Sequence, residues 1–298
     1  MSELKGKRIF LTGGTGFFGK WLLRALPASA RITVLSRDPK HFVHAHPEFG
    51  GVEFLRGDVR NFPLPVEHFD YVIHGAASSA TPLADDEMES VIIRGTEHVL
   101  QMNFDKMLYI SSGAVYGPNP SESVAENISG TPVNAYGRGK KAAEQLCLAS
   151  GKAVTVARCF AFVGPYLPLD AHFAIGNFIN DCLHRRPLVI KGDGTPLRSY
   201  LYAGDLAAWL LKILTDGAPG RAYNVGSDQS LSIRELAGLV KTVCENPRPV
   251  EIRTPPVPGQ PVSAYVPDIS RARHELGLEI TVPLKDAIRR TFDHYRET

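Results

Sequence analysis

At 298 residues, 44% hydrophobic and 21% charged, the chain has the composition of an ordinary globular protein, one large domain or two modest ones. A net charge of +2 gives no reason to expect nucleic acid or an acidic membrane surface as partner. Four scattered cysteines (Cys147, Cys159, Cys182, Cys244) lack any CxxC or metal-ligand spacing, which predicts reduced, mostly buried thiols.

Residues 1–7 run straight into the first strand and leave no room for a signal peptide. No apolar run approaches membrane-spanning length, so a soluble, cytoplasmic protein is expected. Ile9-Phe10-Leu11 has the bulk of a buried parallel strand. Gly13, Gly16 and Gly19 follow at three-residue intervals, and an amphipathic helix begins near Phe17 and ends before Pro27. Gly13 permits a tight turn, Gly16 lets the backbone approach a pyrophosphate, and Gly19 lets the helix lie against the strand. The helix N-terminus supplies N–H groups and partial positive charge. A glycine triplet between a strand and a helix predicts dinucleotide binding.

Further strands are predicted at Ile32–Leu35, Val52–Leu55, Tyr71–Ile73 and Met107–Ile110, with a helix from about Met88 to Asn103. His41, His44 and His46 fall on an expected exposed loop after the second strand, and no metal is assigned. A helix over 134–150 leads to a strand at Ala153–Ala157. This alternation indicates an α/β fold with a doubly wound parallel sheet. After Arg158, Pro165, Pro168, Pro187 and Pro196 break the rhythm into short pieces. Helices are expected around Ile175–Leu183, at Asp205–Leu214, at Ser232–Val243 behind a Ser232/Glu235 capping box, and at Leu284–Tyr295. Ala222–Val225 reads as a last sheet strand and Thr254–Pro261 as a loop. Residues 1–160 are expected to form the dinucleotide-binding domain. Residues 161–298 would form mainly a smaller C-terminal substrate-binding lobe, interleaved with the sheet.

Ligands of open α/β sheets sit at the carboxyl ends of the strands. Ser112 lies just past the fifth strand, and Tyr136 and Lys140 share one face of the next helix. A lysine ammonium about 4 Å from a tyrosine is worth roughly 4 kcal/mol, enough to draw the phenol down into the range of general acid–base chemistry. An oxidised nicotinamide would push the same way. Ser112 would steady a substrate hydroxyl while Tyr136 takes its proton.

These motifs resemble the extended short-chain dehydrogenase/reductases, in their nucleotide-sugar epimerase/dehydratase branch. The resemblance rests on Thr12-Gly-Gly-Thr-Gly-Phe-Phe-Gly19, Gly57-Asp58, His74-Gly-Ala-Ala77, Ser111-Ser-Gly-Ala-Val-Tyr-Gly117 and Tyr136-Gly-Arg-Gly-Lys140. It continues through Gly164-Pro165, Gly192–Ser199, Asp205-Leu206 and Tyr223-Asn-Val-Gly226. It implies a Rossmann-type sheet and a catalytic Ser112/Tyr136/Lys140 set that oxidises a sugar hydroxyl, commonly at C4. Gly13, Thr15, Gly16, Phe17, Phe18, Gly19, Ser36, Arg37, Asp58, Val59, Ala76 and Ala77 would meet the cofactor along with Tyr136 and Lys140, Asp58 at the adenine. Ser78, Ser112, Gly113, Asn177, Phe178 and Arg198 would face the sugar nucleotide, with Arg198 on its phosphates. A homodimer through the helices at Met88–Asn103 and 134–150 is implied as well.

Departures from the family pattern narrow the reaction. Its 4,6-dehydratases carry Asp-Glu after the catalytic Ser/Thr and its decarboxylases a Glu in this loop; here Gly113 and Ala114 transfer no proton. Hydride exchange at one carbon remains, by an epimerase or, alternatively, an NADPH-dependent 4-keto-sugar reductase. A 4,6-dehydratase or a non-catalytic dinucleotide-binding protein ranks behind both. Ser36-Arg37 replaces the usual acid after the second strand, a residue-level lean to NADP, whereas the resemblance to epimerases implies NAD. Asp38 is the alternative acid. Ile92 stands where an Asn is usual, and Val257 where a second phosphate-binding Arg often precedes Pro-Gly, with Arg253 as a possible substitute.

Overall fold

The computed structural model describes residues 2–77, 83–118, 123–171, 173–257, 259 and 261–297. The first half runs β1 (Arg8–Thr12), α1 (Phe17–Ala25), β2 (Arg31–Ser36), α2 (Pro39–Ala45), β3 (Glu53–Arg56), β4 (Phe69–His74), α3 (Asp85–Val99), β5 (Phe104–Ser112), α4 (Ala135–Ala149) and β6 (Val154–Cys159). Then come β7 (Phe162–Val163), α5 (Ala174–Leu183), β8 (Leu188–Ile190), β9 (Leu197–Ser199), β10 (Leu201–Tyr202) and α6 (Ala203–Asp216). The chain closes with β11 (Ala222–Val225), β12 (Ser230–Ser232), α7 (Ile233–Val243), β13 (Val250–Ile252), β14 (Ala264–Tyr265), α8 (Ser270–Leu276) and α9 (Leu284–Glu297).

Seven strands form one sheet in the order β11-β6-β5-β4-β1-β2-β3. Every pair in it is parallel. This is the Rossmann-type arrangement the alternating pattern predicts, and the strand order reverses between β1 and β4. Side chains alternate across β1. Ile9 and Leu11 face α1 and α6, while Phe10 faces the α3/α4 side with Val72, Met107 and Val156. The interior helix α6 buries Leu206, Leu210, Leu211, Ile213 and Leu214 at once. A separate core of Phe178, Ile179, Leu188, Val240 and Ile288 joins α5, α7 and α9.

Side-chain caps open α2, α4 and α7. Asn134 caps α4 by accepting the Gly137 N–H at 2.8 Å, and the Ser232/Glu235 capping box opens α7 as expected. Two expectations change. The segment with His41, His44 and His46 is not wholly loop: residues 39–45 are helical, with the Asp38 carboxylate accepting the His41 N–H and Pro39 in the first turn. Helix α3 also begins and ends earlier than predicted, its first turn carrying Asp85, Asp86 and Glu87 in favourable interaction with the helix dipole. The four cysteines are buried free thiols. Among the described residues no helix is long and apolar enough to cross a membrane.

Candidate active site

The strand-order reversal sets the carboxyl ends of β1 and β4 around one crevice. Gly13 takes a positive φ of 76°, and a Cβ there would lie 2.7 Å from the Gly75 backbone. At Gly19 a Cβ would fall 2.3 Å from the Gly14 backbone, so only glycine lets α1 lie this close. Gly16 is the uncapped start of α1; a Cβ there would find Gly13 O at 3.4 Å and nothing nearer. Thr15 is half-buried in the turn, and Phe17 and Phe18 lean on the core, Phe18 edge-on to Phe162 at 5.0 Å.

A buried relay braces this crevice. Thr96 Oγ1 donates to Ile92 O at 2.7 Å, so at 3.0 Å it accepts the His74 Nε2–H. His74 Nδ1 then accepts the Thr12 hydroxyl at 2.7 Å. Thr12 Oγ1 in turn accepts the Gly75 and Ala76 N–H groups, each at 3.1 Å. Those bonds hold the start of the Gly75–Ala77 segment against β1. Full burial keeps His74 neutral, its pKa lowered to about 3, with the Lys140 charge pushing the same way.

At the tip of β2, Ser36 is buried and Arg37 exposed. Asp38, the alternative acid, is exposed and uses Oδ1 to cap α2, accepting the His41 N–H at 3.1 Å. Asp58 is gripped from two sides by Arg60: Nε to Oδ1 and Nη2 to Oδ2, both at 2.9 Å. That hydrogen bonding holds the Asp58 carboxyl below its ordinary range. The Val59 side chain is packed in the core against Gly95, so it supports the fold and only its backbone is left to meet a ligand. Ala76 and Ala77 are half-buried beyond β4. Ser78 lies outside the described residues.

Ser112, Tyr136 and Lys140 converge at the carboxyl edge of β5. Ser112 is buried and accepts the Ala114 N–H at 3.1 Å. Lys140 is buried against the sheet, donating to Ile110 O at 2.7 Å, with Nζ 5.0 Å from the Tyr109 ring centroid and 5.8 Å from that of Tyr136. Burial lowers its pKa to about 8. The expected lowering of Tyr136 by this lysine is not what the protein alone displays. Burial raises the half-buried phenol, Tyr265 adds to the rise, and Ser112 opposes it by hydrogen bonding. Ile92, in place of the usual Asn, is core: it packs under Gly139, whose Cβ would lie 3.2 Å away.

Opposite Ser112 stands the lobe. Arg198 on β9 is half-buried, with Nη1 donating to Leu197 O at 2.7 Å and Ser263 O at 3.3 Å. Asn177 is half-buried on α5, whereas Phe178 is 2% exposed and packs in the core that joins α5, α7 and α9. The helical period turns the two neighbouring side chains to different faces of the helix. Arg253 is exposed just past β13, and Val257 is 61% exposed.

Residues unassigned from sequence complete the site. Tyr265 on β14 lies in register with Arg198 and reaches Ser112 at 3.4 Å. A Cβ at Gly113 would sit 2.8 Å from both the Tyr265 hydroxyl and the Phe160 ring, so those two groups fill the space beside Ser112. Beneath it, Ser111 donates to Glu144, which Arg158 grips with its Nη2 at 2.8 Å. No local spacing marked the Glu144–Arg158 pair, 14 residues apart, or Tyr265, 153 residues from Ser112.

The family model of the NAD dependent epimerase/dehydratase family matches residues 9–226. UDP-glucuronic acid decarboxylase 6 of Arabidopsis thaliana is 30% identical over 309 residues, spanning 94% of this chain and 86% of that protein. The dTDP-D-glucose 4,6-dehydratase of Bos taurus is 27% identical, over 98% of this chain and 89% of its own. Among solved structures, UDP-N-acetylglucosamine 4-epimerase from Methanobrevibacter ruminantium M1 superposes with a TM-score of 0.86 at 22% identity, over 98% of this chain and 99% of that one. With its seven-stranded parallel sheet and glycine turn, the chain belongs to the NAD-dependent epimerase/dehydratase family.

Proposed function

We propose that the protein exchanges hydride at one sugar carbon, C4, of a nucleotide-diphosphate sugar, and that the reaction is epimerisation. The observation that carries this reading is the convergence of Ser112, Tyr136 and Lys140 at one strand end beside the glycine turn. The turn suits a dinucleotide: Gly16 leaves open space in front of an uncapped helix start, and its neighbours Gly13 and Gly19 are required by packing. Gly13, Gly16, Phe17, Phe18, Asp58 and Ala76 would hold the group, which supplies a hydride acceptor and donor when bound.

The chain's own residues handle the proton. Tyr136 takes it from the sugar hydroxyl, Ser112 donates to the same oxygen, and the Lys140 ammonium stabilises the phenolate. No side chain at residues 113 or 114 can carry a second proton, and Phe160 with Tyr265 fills the space one would need. That disfavours elimination and decarboxylation, although relatives with those names are the similar sequences. Arg198 is the phosphate ligand of this reading, supported by relatives named for UDP and dTDP sugars. We place a homodimer interface on α3 and α4.

NAD is the cofactor of the leading reading. The second reading, an NADPH-dependent 4-keto-sugar reductase, is favoured by the tip of β2, where Asp38 is engaged as a cap and Arg37 and Arg56 stand exposed. Denaturing the purified protein and identifying the released dinucleotide and sugar nucleotide tests both. An epimerase shows no net nicotinamide absorbance change during turnover, and a reductase consumes cofactor stoichiometrically. Turnover retained by Tyr136→Phe would sink the assignment.

A further inference from the structure

A serine hydroxyl has one proton to give and two lone pairs to fill. At Ser112 one lone pair takes the Ala114 N–H at 3.1 Å. The other side of the oxygen faces the Tyr265 hydroxyl at 3.4 Å. Tyr265 is fixed there by three neighbours. β14 pairs with β9 so that Tyr265 stands beside Arg198, and its ring lies on Phe160 with centroids 4.8 Å apart. Gly113 leaves room for the hydroxyl, since a Cβ there would come within 2.8 Å of it. Either hydroxyl can be the donor of the Ser112–Tyr265 contact, and with the Ala114 N–H on one lone pair of Ser112 the other lone pair is left to accept the Tyr265 proton. Burial raises the Tyr265 pKa to about 12, and the proton stays in place at neutral pH.

We propose that Tyr265 is a positioning residue: by donating to Ser112 it fills the second lone pair and commits the Ser112 proton to the oxygen of Tyr136 and its substrate. A Ser112 hydroxyl free to rotate would spend part of its time donating elsewhere. This inference rests on Tyr136 as the general base, but its test needs no substrate.

The groups facing Tyr136 are Lys140 on its own helix, Tyr109 and Ser112 on β5, Cys159 on β6 and Tyr265 on β14, with Arg198 on β9 facing Tyr265. As a protonated packing neighbour alone, Tyr265 carries no charge to act on Tyr136, so removing its hydroxyl would leave the Tyr136 midpoint where it is. As a positioner of Ser112, its removal takes a donor from the phenolate and raises that midpoint. An upward shift therefore separates the two roles.

The experiment is an NMR titration of the NAD-loaded protein carrying isotope-labelled tyrosine Cζ, with the Tyr136 signal identified by its loss in Tyr136→Phe. Tyr265→Phe keeps the ring and the Phe160 contact. It is expected to move the Tyr136 midpoint to higher pH, and Gly113→Ala, which crowds the same hydroxyl, to move it the same way. In a Ser112→Ala background the upward shift from Tyr265→Phe should vanish. An unchanged or lowered midpoint in Tyr265→Phe, or an upward shift that persists without Ser112, overturns the proposal. A wild-type Tyr136 that never ionises below the ordinary tyrosine range instead overturns the general-base reading itself.

Discussion

Arg158 lays its guanidinium across both oxygens of Glu144, with Nε at 3.1 and 3.2 Å and Nη2 at 2.8 Å. The pair is buried between β6 and α4, and it sits directly under the strand end that carries Ser112. Glu144 also accepts from Ser111, while Arg158 Nη1 donates to the Tyr116 hydroxyl at 2.9 Å and to Glu126 O at 3.1 Å. Tyr116 passes its proton on to Asn224 Oδ1 at 2.8 Å. Removing one partner leaves the other charge buried and unpaired. Arg158→Met is therefore expected to lower unfolding free energy by about 3–5 kcal/mol in urea titration. Combining it with Glu144→Leu should cost clearly less than the sum of the single changes. Additive losses would mean that the two residues do not form one unit.

The glycine turn separates packing from binding. Gly13→Ala and Gly19→Ala each drive a Cβ to within 3 Å of backbone, so both should lower Tm as well as dinucleotide affinity. Gly16→Ala meets nothing closer than 3.4 Å, and its φ is an ordinary −83°. It should leave Tm nearly unchanged yet weaken NADH binding, followed by fluorescence, by about tenfold or more, because the methyl stands where the phosphates approach. Equal Tm losses in all three variants would remove the distinction.

What could be read from sequence divides along the same line as local and distant contacts. The glycine turn, the Ser232/Glu235 capping box and the Tyr136–Lys140 spacing are each set within a few residues, and their physics is written in adjacent side chains. Helix α2 had a local signal too, in Asp38-Pro39 followed by the buried Phe42, but three histidines made the segment look like a polar loop. Tyr265 offered none. A two-residue strand carries no periodicity, and its meaning comes only from pairing with β9. The direction of the Tyr136 shift was equally out of reach, because spacing gives the lysine's charge but not the depth at which both groups lie.

Crowding at Gly113 leads to a test of the reaction class. Adding an acid by Gly113→Asp with Ala114→Glu does not install elimination chemistry, because the Phe160 ring and the Tyr265 hydroxyl already occupy the space a side chain would enter. The double variant is expected to be destabilised by about 1–3 kcal/mol through overpacking, and to release no dehydrated sugar. Gly113→Ala alone should cost stability in the same direction, with partial recovery when Phe160→Leu opens the site. Product analysis by mass spectrometry that detects loss of water in the double variant would refute this.

Lys140 carries a stability cost that pH can reveal. Burial lowers its pKa from the ordinary 10.5 to about 8. Below 8 the ammonium is protonated in both states, and the folded protein bears the full cost of burying it. Between 8 and 10.5 the unfolded chain binds a proton that the folded protein has released, so stability rises with pH across that window. The contribution is about 3 kcal/mol at most, part of it offset by the bond to Ile110 O and the Tyr109 ring. Other groups titrate in the same range, so the measurement is a difference: unfolding free energy of the protein minus that of Lys140→Met, followed across pH. That difference should climb from neutral pH toward 10.5 and then level off. Lys140→Met should meanwhile lose turnover while remaining folded, since the charge that costs stability is the one that steadies the Tyr136 phenolate. A difference that already climbs at full slope from neutral pH would show that Lys140 is neutral in the folded protein throughout and would take away its proposed role beside the base, whereas a flat one would show that burial does not lower its pKa.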